Sequence, residues 1–519
     1  MRNIPAWLKE AVFYEIYPQS FYDTNGDGIG DINGITEKLD YIKSLGCNAI
    51  WMNPCFESPF GDAGYDISDY RKVAPRYGTN DDLKRLFAEA HGRGMHVILD
   101  LVPGHTSLEH KWFSESMKAE RNEYSDRYIW TDSVWDAPTV GNITGWLRGL
   151  SERNGSCALN FFYNQPALNY GFYRCDEPWQ KSMDAPACVA TRKAMEDVVL
   201  FWLGMGCDGF RVDMASTLVK NDDEECHGII EFWNRFFERI RAQFPNAAFV
   251  SEWGDPYHSI RAGFDMDFLL HFGPSHYMDL FRENPYFSAK CDGDISEFVE
   301  RYKINMEKTE GKGLICIPTG NHDMKRMSYM LDETERRLAF AFILSMPGVP
   351  FIYYGDEIGM KYLAGIKSVE GGYDRTGSRS PMQWSRDKNA GFSTADKDKL
   401  YIELDPDESR PDAKSESESP KSLMNEVKKL IEIRQGHPAL APLSEIEFVC
   451  AQKNSHPLIY LRKSPEEKVL VAINISGNEE LIDIKTIGTG DVIYSIGNEA
   501  KFSDGRLSIP GRSATFIKL

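Results

Sequence analysis

The chain has 519 residues, of which 42% are hydrophobic and 12% are aromatic, and its formal net charge is -19 at pH 7. A chain of this length exceeds one ordinary hydrophobic core, so we expect two or three domains. The strong negative charge repels phosphate backbones and argues against a nucleic-acid partner, whereas a neutral ligand would be indifferent to it.

Short runs rich in β-branched and aromatic residues recur along the chain and predict eight strands. Amphipathic stretches such as 34–46 and 79–94, each ending in glycine, alternate with these runs and predict helices. Strand–helix units repeated eight times favour an α/β fold of the (β/α)8 TIM barrel type. A doubly wound open sheet is the alternative, although no GxGxxG turn supports it. The predicted strands are 11–18, 48–54, 96–102, 209–214, 248–253, 264–270, 314–320 and 349–355.

Three segments depart from this alternation. Residues 106–180, after the third strand, are rich in Trp, Tyr, Asn and Gly and predict a small inserted domain, domain B, so that the barrel comprises 1–105 and 181–440. Residues 405–422 are polar and charged and predict a mobile loop. From 441 to 519, short alternating strands predict a C-terminal antiparallel β-sandwich.

The loop DTNGDGIGD presents oxygen-bearing side chains at alternate positions, as the first part of an EF-hand does. Its twelfth position is Gly34 rather than Glu, so it is not an EF-hand. Hard oxygen ligands favour Ca²⁺, with Mg²⁺ as the other candidate, and an Asx-rich turn without metal is the alternative. The predicted ligands are Asp23, Asn25, Asp27, the carbonyl of Ile29, and Asp31.

The cysteine pattern and the N-terminus predict a cytoplasmic chain. The ten cysteines form no CxxC pair and predict neither a disulfide framework nor a zinc site. The N-terminal residues lack the apolar core of a signal peptide, and the longest apolar runs are too short to cross a bilayer. We therefore expect no membrane partner, and no pattern indicates an oligomeric state.

Acidic residues recur where the predicted barrel strands end, which is where TIM barrels carry their chemistry. Each one alone also fits a structural ion pair or a helix N-cap. Several carboxyl groups converging on one cleft, however, are what cleavage of a glycosidic bond requires, because one must stabilise the sugar cation and another must protonate the leaving oxygen. The residues at these ends are Asp100 and His105, Arg211 and Asp213, Glu252, and His322 and Asp323.

Motifs along nearly the whole chain resemble those of glycoside hydrolase family 13, the α-amylase superfamily. They run from AVFYEIYPQSFYDTNGDGIGDINGI through GYDISDY, DLVPGHTS, GFRVDMAS, VSEWG and GNHD to VPFIYYGDEIGM. The resemblance implies a retaining glycosidase with Asp213 as nucleophile, Glu252 as general acid/base and Asp323 as the carboxylate that holds sugar hydroxyls. We expect Arg211 to keep Asp213 ionised, and Glu252 to reach the reaction protonated. The resemblance also supports a structural calcium at the DTNGDGIGD loop.

The resemblance extends to residues that bind the sugar. His105 and His322 match histidines that hydrogen-bond it, Tyr65 matches a ring that stacks under it, and Phe161 matches an aromatic residue lining the same pocket. Asp62 and Arg379 match a pair that clamps the non-reducing-end glucose in exo-acting α-glucosidases, trehalose synthases and sucrose isomerases. The stretch SPMQWSRDKNAGFS is similar to oligo-1,6-glucosidases and trehalose synthases.

These matches favour an exo-acting α-glucosidase acting on short oligosaccharides or disaccharides. A transglycosylating or isomerising enzyme such as a trehalose synthase is the main alternative, and an endo-acting amylase and a non-catalytic binding subunit are further ones. The chain departs from the family pattern at Gly104, where an Asn often binds a second calcium, and at Ala167, where an acid is usual. Met214 follows the nucleophile where the family has Val or Thr, so the linkage preference stays open.

Overall fold

A parallel eight-stranded barrel forms the centre of the protein, in a computed structural model that describes residues 4–290, 292–453, 455–484, 488–503 and 505–519. Each barrel strand lies within one of the predicted runs. The strands are β1 (Phe13–Ile16), β2 (Ala49–Met52), β3 (His96–Leu101), β4 (Gly209–Val212), β5 (Ala248–Ser251), β6 (Met266–Phe268), β7 (Leu314–Cys316) and β8 (Phe351–Tyr353).

The strands follow chain order around the sheet, and β1 pairs in parallel with both β2 and β8. The ring closes just beyond β7, where the Thr319 N–H donates to the Phe351 carbonyl at 2.9 Å. This closure confirms the TIM barrel and excludes the open sheet. Inward-pointing apolar side chains such as Phe13, Trp51 and Phe268 fill the barrel interior.

Amphipathic helices cover the outside of the barrel. The helix over 80–92 illustrates how the sequence specifies them. The Thr79 side chain accepts from the Asp82 N–H in a capping box that begins the helix, and Leu83, Leu86 and Phe87 form its buried face. None of the helices in the described ranges is both long and apolar enough to span a membrane. The helices are α1 (Ile32–Glu37), α2 (Leu39–Ser44), α3 (Asn80–Gly92), α4 (Lys111–Ser116), α5 (Pro186–Met205), α6 (His227–Gln243), α7 (Pro256–Arg261), α8 (Met278–Phe281), α9 (Ser296–Thr309), α10 (Glu333–Ser345), α11 (Ala413–Glu418) and α12 (Leu423–Gly436).

The segment between β3 and β4 contains α4 and a small antiparallel hairpin of Gly145–Leu147 with Cys157–Leu159. It has a compact apolar cluster of its own that includes Ile129, Ala158 and Phe172. An antiparallel bridge from His105 to Ala167 ties it to the end of β3. The bounds 106–180 for domain B remain a prediction, but the insertion itself lies where the sequence indicated.

The prediction of a loop over 405–422 is wrong for residues 413–418, which form α11. Asp412 begins this helix by accepting from the Ser415 N–H at 2.9 Å, and its carboxylate also pairs with Arg386 at 2.7 Å. Acidic and serine residues that look like a solvated loop therefore supply a helix cap and an ion pair between the buried Asp412 and the exposed Arg386.

The described residues of the C-terminal part form two antiparallel sheets, a larger one of five strands and a smaller one of three. Ile459, Leu470 and Ile517 of the larger sheet share a core with Leu507 and Ile509 of the smaller one. This shared core confirms the predicted β-sandwich. The strands are β9 (Glu445–Cys450), β10 (Leu458–Lys463), β11 (Lys468–Asn474), β12 (Glu480–Asp483), β13 (Asp491–Ile496), β14 (Lys501–Ser503), β15 (Arg506–Ile509) and β16 (Ser513–Lys518).

Candidate active site

The three predicted catalytic carboxyl groups line one cavity of about 560 Å³ at the carboxyl ends of the barrel strands. Asp213 follows β4, Glu252 follows β5 and Asp323 lies beyond β7. Four of the predicted sugar-binding residues line the same cavity, namely Asp62, Tyr65, His105 and Phe161.

One buried guanidinium joins the carboxyl groups on one side of the cavity. Arg211, which is 1% exposed, donates from Nη1 to Asp100 and to Asp213, each at 2.8 Å. Its Nη2 lies 2.6 Å from Oε1 of Glu252. Because Asp213 and Glu252 bind the two ends of one rigid planar group, their separation and orientation are fixed by Arg211.

Burial and the adjacent Glu252 charge raise the pKa of Asp213 well above its ordinary range, and the Arg211 charge opposes this rise without cancelling it. Arg211 therefore acts on the pKa of Asp213 in the direction that the sequence predicts, but burial and Glu252 act against it. Its effect on Asp213 is limited because it shares one positive charge among three buried carboxyl groups, since Asp100 also contacts it.

Met214, which follows Asp213, has a left-handed backbone with φ of 43°. Such a conformation costs a non-glycine residue about 1–3 kcal/mol. It is accompanied by a hydrogen bond from the Met214 N–H to Oε2 of Glu252 at 2.9 Å. The backbone at this position thus orients the carboxyl group of Glu252, while Met214 lines the cavity.

His322 and Asp323 form an ion pair on the other side of the cavity. The His322 ring lies between two carboxylates, with Nδ1 2.9 Å from Glu15 and Nε2 3.2 Å from Asp323. Burial alone would lower the pKa of His322, but Asp323 and Glu15 raise it to about 9. Burial likewise opposes ionisation of Asp323, yet His322, Arg379 and Arg375 lower its pKa well below the ordinary value. Asp323 is therefore an anion at neutral pH.

Arg379 lies behind Asp323 rather than on the cavity surface. It is 1% exposed and donates from Nη2 to Asp323 at 2.8 Å and from Nε to the His322 carbonyl at 2.8 Å. The residue that reaches Asp62 is Arg375, which donates to Asp323 at 3.1 Å and to Asp62 at 3.3 Å. The sequence analysis does not predict Arg375. Its position four residues before the predicted Arg379 is the sequence feature that could have indicated it.

His105 is held by two partners that fix where its proton lies. Its Nε2 donates to the Tyr65 carbonyl at 3.0 Å, and its Nδ1 accepts from the Asn160 amide at 3.1 Å. Burial lowers the pKa of His105 to about 4, so the ring is neutral. Asn160 occupies the space beside Gly104, where a Cβ atom would lie 2.7 Å from the amide nitrogen. The Tyr65 hydroxyl contacts Nε2 of His322 at 2.7 Å, and the two rings stack.

Aromatic side chains surround the mouth of the cavity. Phe161 is 47% exposed and packs on Phe162, and Tyr373, which is 66% exposed, packs on Phe162 from the other side. Phe272 completes the apolar part of the rim. Only Phe161 was singled out from the sequence, because the others lie on loops that carry no periodic pattern.

The DTNGDGIGD loop precedes α1, and hydrogen bonds to its own side-chain oxygens hold its conformation. Both oxygens of Asp23 accept from backbone N–H groups of the loop, and Asp31 caps α1. Asn25 and Asp27 each accept from the N–H two residues later. Within the described ranges, the second oxygen of Asp27 and the carbonyl of Ile29 accept no hydrogen bond. The loop therefore offers two free oxygen atoms of the hard kind that Ca²⁺ and Mg²⁺ prefer, while its carboxylates are not gathered into one cluster among the described residues.

A family model described as the alpha-amylase catalytic domain matches residues 15–442. The trehalose synthase/amylase TreS of Mycolicibacterium smegmatis is 33% identical over 491 residues, covering 85% of this chain and 78% of that protein. An oligo-1,6-glucosidase of Heyndrickxia coagulans is 30% identical over 546 residues, covering 92% and 93%. A crystal structure of an isomaltulose synthase mutant from Erwinia rhapontici NX5, in complex with D-glucose, matches with a TM-score of 0.83 at 27% identity and covers 99% of each chain.

Proposed function

The chain belongs to the α-amylase family of glycoside hydrolases, family 13, and within it we propose that this enzyme is a retaining, exo-acting α-glucosidase. It would release glucose from the non-reducing ends of short α-glucosides. The observation that carries this proposal is the Arg375 bridge between Asp62 and Asp323. We infer that this ion-paired bridge closes one end of the cavity, so that a chain terminus would enter it and a chain interior would be excluded.

The first half of the proposed reaction forms a covalent intermediate. The Asp213 carboxylate attacks the anomeric carbon, the glycosidic C–O bond breaks, and the proton on Glu252 passes to the leaving oxygen. This step requires Asp213 ionised and Glu252 protonated. Arg211 contacts both carboxyl groups, so its charge stabilises the Asp213 carboxylate before the attack and the Glu252 carboxylate after the proton has left.

The second half of the reaction regenerates the enzyme. Glu252, now a carboxylate, removes a proton from water, and the resulting oxygen attacks the anomeric carbon and displaces Asp213, so that the configuration is retained. Asp323 accepts hydrogen bonds from sugar hydroxyls throughout. Its ion pairs with His322 and Arg375 keep it anionic for that role.

An isomerising activity is the second candidate, and the aromatic rim favours it. Phe161, Phe162, Phe272 and Tyr373 place apolar surface around the mouth, where the released sugar would leave and water would enter. A rim of this kind slows the exchange of sugar for water, so that a hydroxyl of the released sugar can attack the intermediate. Trehalose synthases and an isomaltulose synthase are among the similar proteins.

Product analysis separates the candidates. The protein is incubated with maltose, isomaltose, trehalose, sucrose and maltoheptaose in turn, and the products and their anomers are followed by NMR. Early release of α-glucose alone supports the exo-α-glucosidase. Trehalose formed from maltose, or an isomer formed from sucrose, indicates the isomerase instead. Maltodextrins of intermediate length from maltoheptaose overturn the exo-acting assignment.

We also propose that the loop over 23–31 holds one structural Ca²⁺, with Mg²⁺ as the alternative ion. The donors would be Asp23, Asn25, Asp27, Asp31 and the Ile29 carbonyl. The unpartnered oxygens of Asp27 and Ile29 support this proposal. The ion would fix the loop that leads into α1 and would take no part in the reaction.

A further inference from the structure

Lys220 is a buried lysine without an acidic partner. It is 1% exposed and lies in the segment that follows β4. Its ammonium donates to the Thr217 carbonyl at 2.7 Å and to Oδ1 of Asn160 at 3.3 Å. No carboxylate in the described part of the chain forms an ion pair with it, and Ala167, which bridges to His105 through its backbone, brings no charge. Burial lowers the pKa of Lys220 to about 7.

The donors and acceptors around Asn160 allow only one arrangement. An ammonium group can only donate, so the amide oxygen of Asn160 must face Lys220. The amide nitrogen then faces Nδ1 of His105 and can only donate to it, so Nδ1 carries no proton. The remaining ring nitrogen, Nε2, must carry the proton, and it donates to the Tyr65 carbonyl. The Lys220 ammonium, acting through the Asn160 amide, therefore keeps Nδ1 of His105 unprotonated.

We propose that Lys220 is a positioning residue that fixes the tautomer of the cavity-lining His105 through the side-chain amide of Asn160. It acts together with the Tyr65 carbonyl, which accepts the proton of Nε2. The arrangement is available because Gly104 has no side chain: a Cβ atom there would meet the Asn160 amide at 2.7 Å. The effect on catalysis rests on the proposed function, whereas the tautomer does not.

The tautomer can be read directly, without any substrate. The intact protein is labelled with 15N in its histidine rings, and long-range 1H–15N spectra are recorded at about pH 6, where Lys220 is charged and His105 is neutral. His105→Gln assigns the signal by its disappearance. We expect a protonated Nε2 and a bare Nδ1 at His105. A protonated Nδ1 in the wild-type protein overturns the proposal, and this test needs no variant to fold.

Asn160→Asp is the sharpest perturbation because it keeps the size of the side chain and reverses its polarity. An aspartate still accepts from Lys220, but it can no longer donate to His105, so Nδ1 must take a proton. Because the Tyr65 carbonyl can only accept, Nε2 keeps its own proton, and the ring should become an imidazolium. Lys220→Met instead frees the amide to rotate, and we expect both tautomers to appear. An unchanged wild-type tautomer in folded Asn160→Asp overturns the proposal. Lys428→Met is the control, since Lys428 is a half-buried lysine on the distant α12 whose pKa burial also lowers.

Kinetics test the consequence for substrate. A protonated Nδ1 places a positive charge on a ring that lines the cavity and removes its hydrogen bond from Asn160, so kcat/KM of Asn160→Asp should fall about tenfold, while Lys428→Met should match the wild type. A protonated Nδ1 with unchanged kcat/KM would overturn the catalytic part. If the wild-type protein hydrolyses none of the glucosides tested, the proposed function fails, yet the predicted tautomer can still be confirmed.

Discussion

Replacing Arg211 by methionine should destabilise the protein strongly at neutral pH. Methionine is close in volume to the arginine stem, so packing changes little, but the guanidinium contacts to Asp100 and Asp213 at 2.8 Å and to Glu252 at 2.6 Å all disappear. Removing one partner of a buried ion pair costs about 3–5 kcal/mol. With three carboxyl groups left unpaired, we expect a loss at the upper end of this range.

The loss of unfolding free energy in Arg211→Met should become smaller as the pH falls. Burial raises the pKa of Asp100 and of Asp213, and Arg211 works against the rise in both, so its removal raises both pKa values further. A carboxyl group whose pKa is higher in the folded state stabilises the fold when protonated and loses that contribution as the pH rises through the folded-state pKa. Between about pH 7.5 and about pH 5, one such group recovers up to about 3 kcal/mol.

Urea denaturation followed by tryptophan fluorescence measures this difference at the two pH values, for variant and wild type in parallel. Arg326→Met is a matched control, because Arg326 is equally buried but, among the residues that the structure describes, pairs with one carboxylate, Asp356 at 2.7 Å. The loss of stability caused by Arg326→Met should depend less on pH than the loss caused by Arg211→Met. A loss for Arg211→Met that is the same at both pH values would refute the reasoning, because it would show that carboxyl repulsion is not its source.

Three further predictions concern the nucleophile, the closed end of the cavity and the metal. Asp213→Asn keeps the shape of the side chain and should lower kcat about 10⁴-fold or more; near-normal turnover in a hydrolysis assay would show that Asp213 is not the nucleophile. Arg375→Met opens the end next to Asp62, so KM for maltose should rise and maltoheptaose should begin to yield intermediate maltodextrins, whereas an unchanged product pattern contradicts the proposed bridge. EGTA should lower the Tm of the wild type, because a bound ion stabilises the folded state, and should leave the Tm of Asp27→Asn unchanged; equal EGTA shifts in both proteins contradict the calcium site.

The barrel and its three acids were predictable from local patterns. The alternation of apolar residues indicates which side chains of a strand point into the hydrophobic core. The carboxyl end of each strand indicates where Asp213, Glu252 and Asp323 lie. The eight predicted runs contain all eight strands because each run is short, β-branched and bounded by turn residues. Nothing beyond the strand itself is needed for such a prediction.

Contacts between loops were not predictable in the same way. Arg375 reaches Asp62 across 313 residues, and Asn160 reaches His105 from the insertion, so neither contact leaves a local signal. The raised pKa of Asp213 also escaped the sequence, because it depends on burial and on how many carboxyl groups share Arg211 in space. Likewise, the polar composition of 405–422 indicated solvation, while Asp412 in fact pairs with Arg386.

The pairing of the first barrel strand with the last affects how the enzyme is made. Phe13 lies beside Phe351, so β1 cannot find one of its two neighbours until almost the whole barrel has left the ribosome. At about 5–20 residues per second this takes roughly 20–70 s. During that time β1 presents an unpaired apolar edge, which is the kind of surface that recruits other strands. We therefore expect β1 to be the barrel strand that is open to aggregation for the longest time during synthesis. A chaperone that shields β1 should raise the yield of active enzyme.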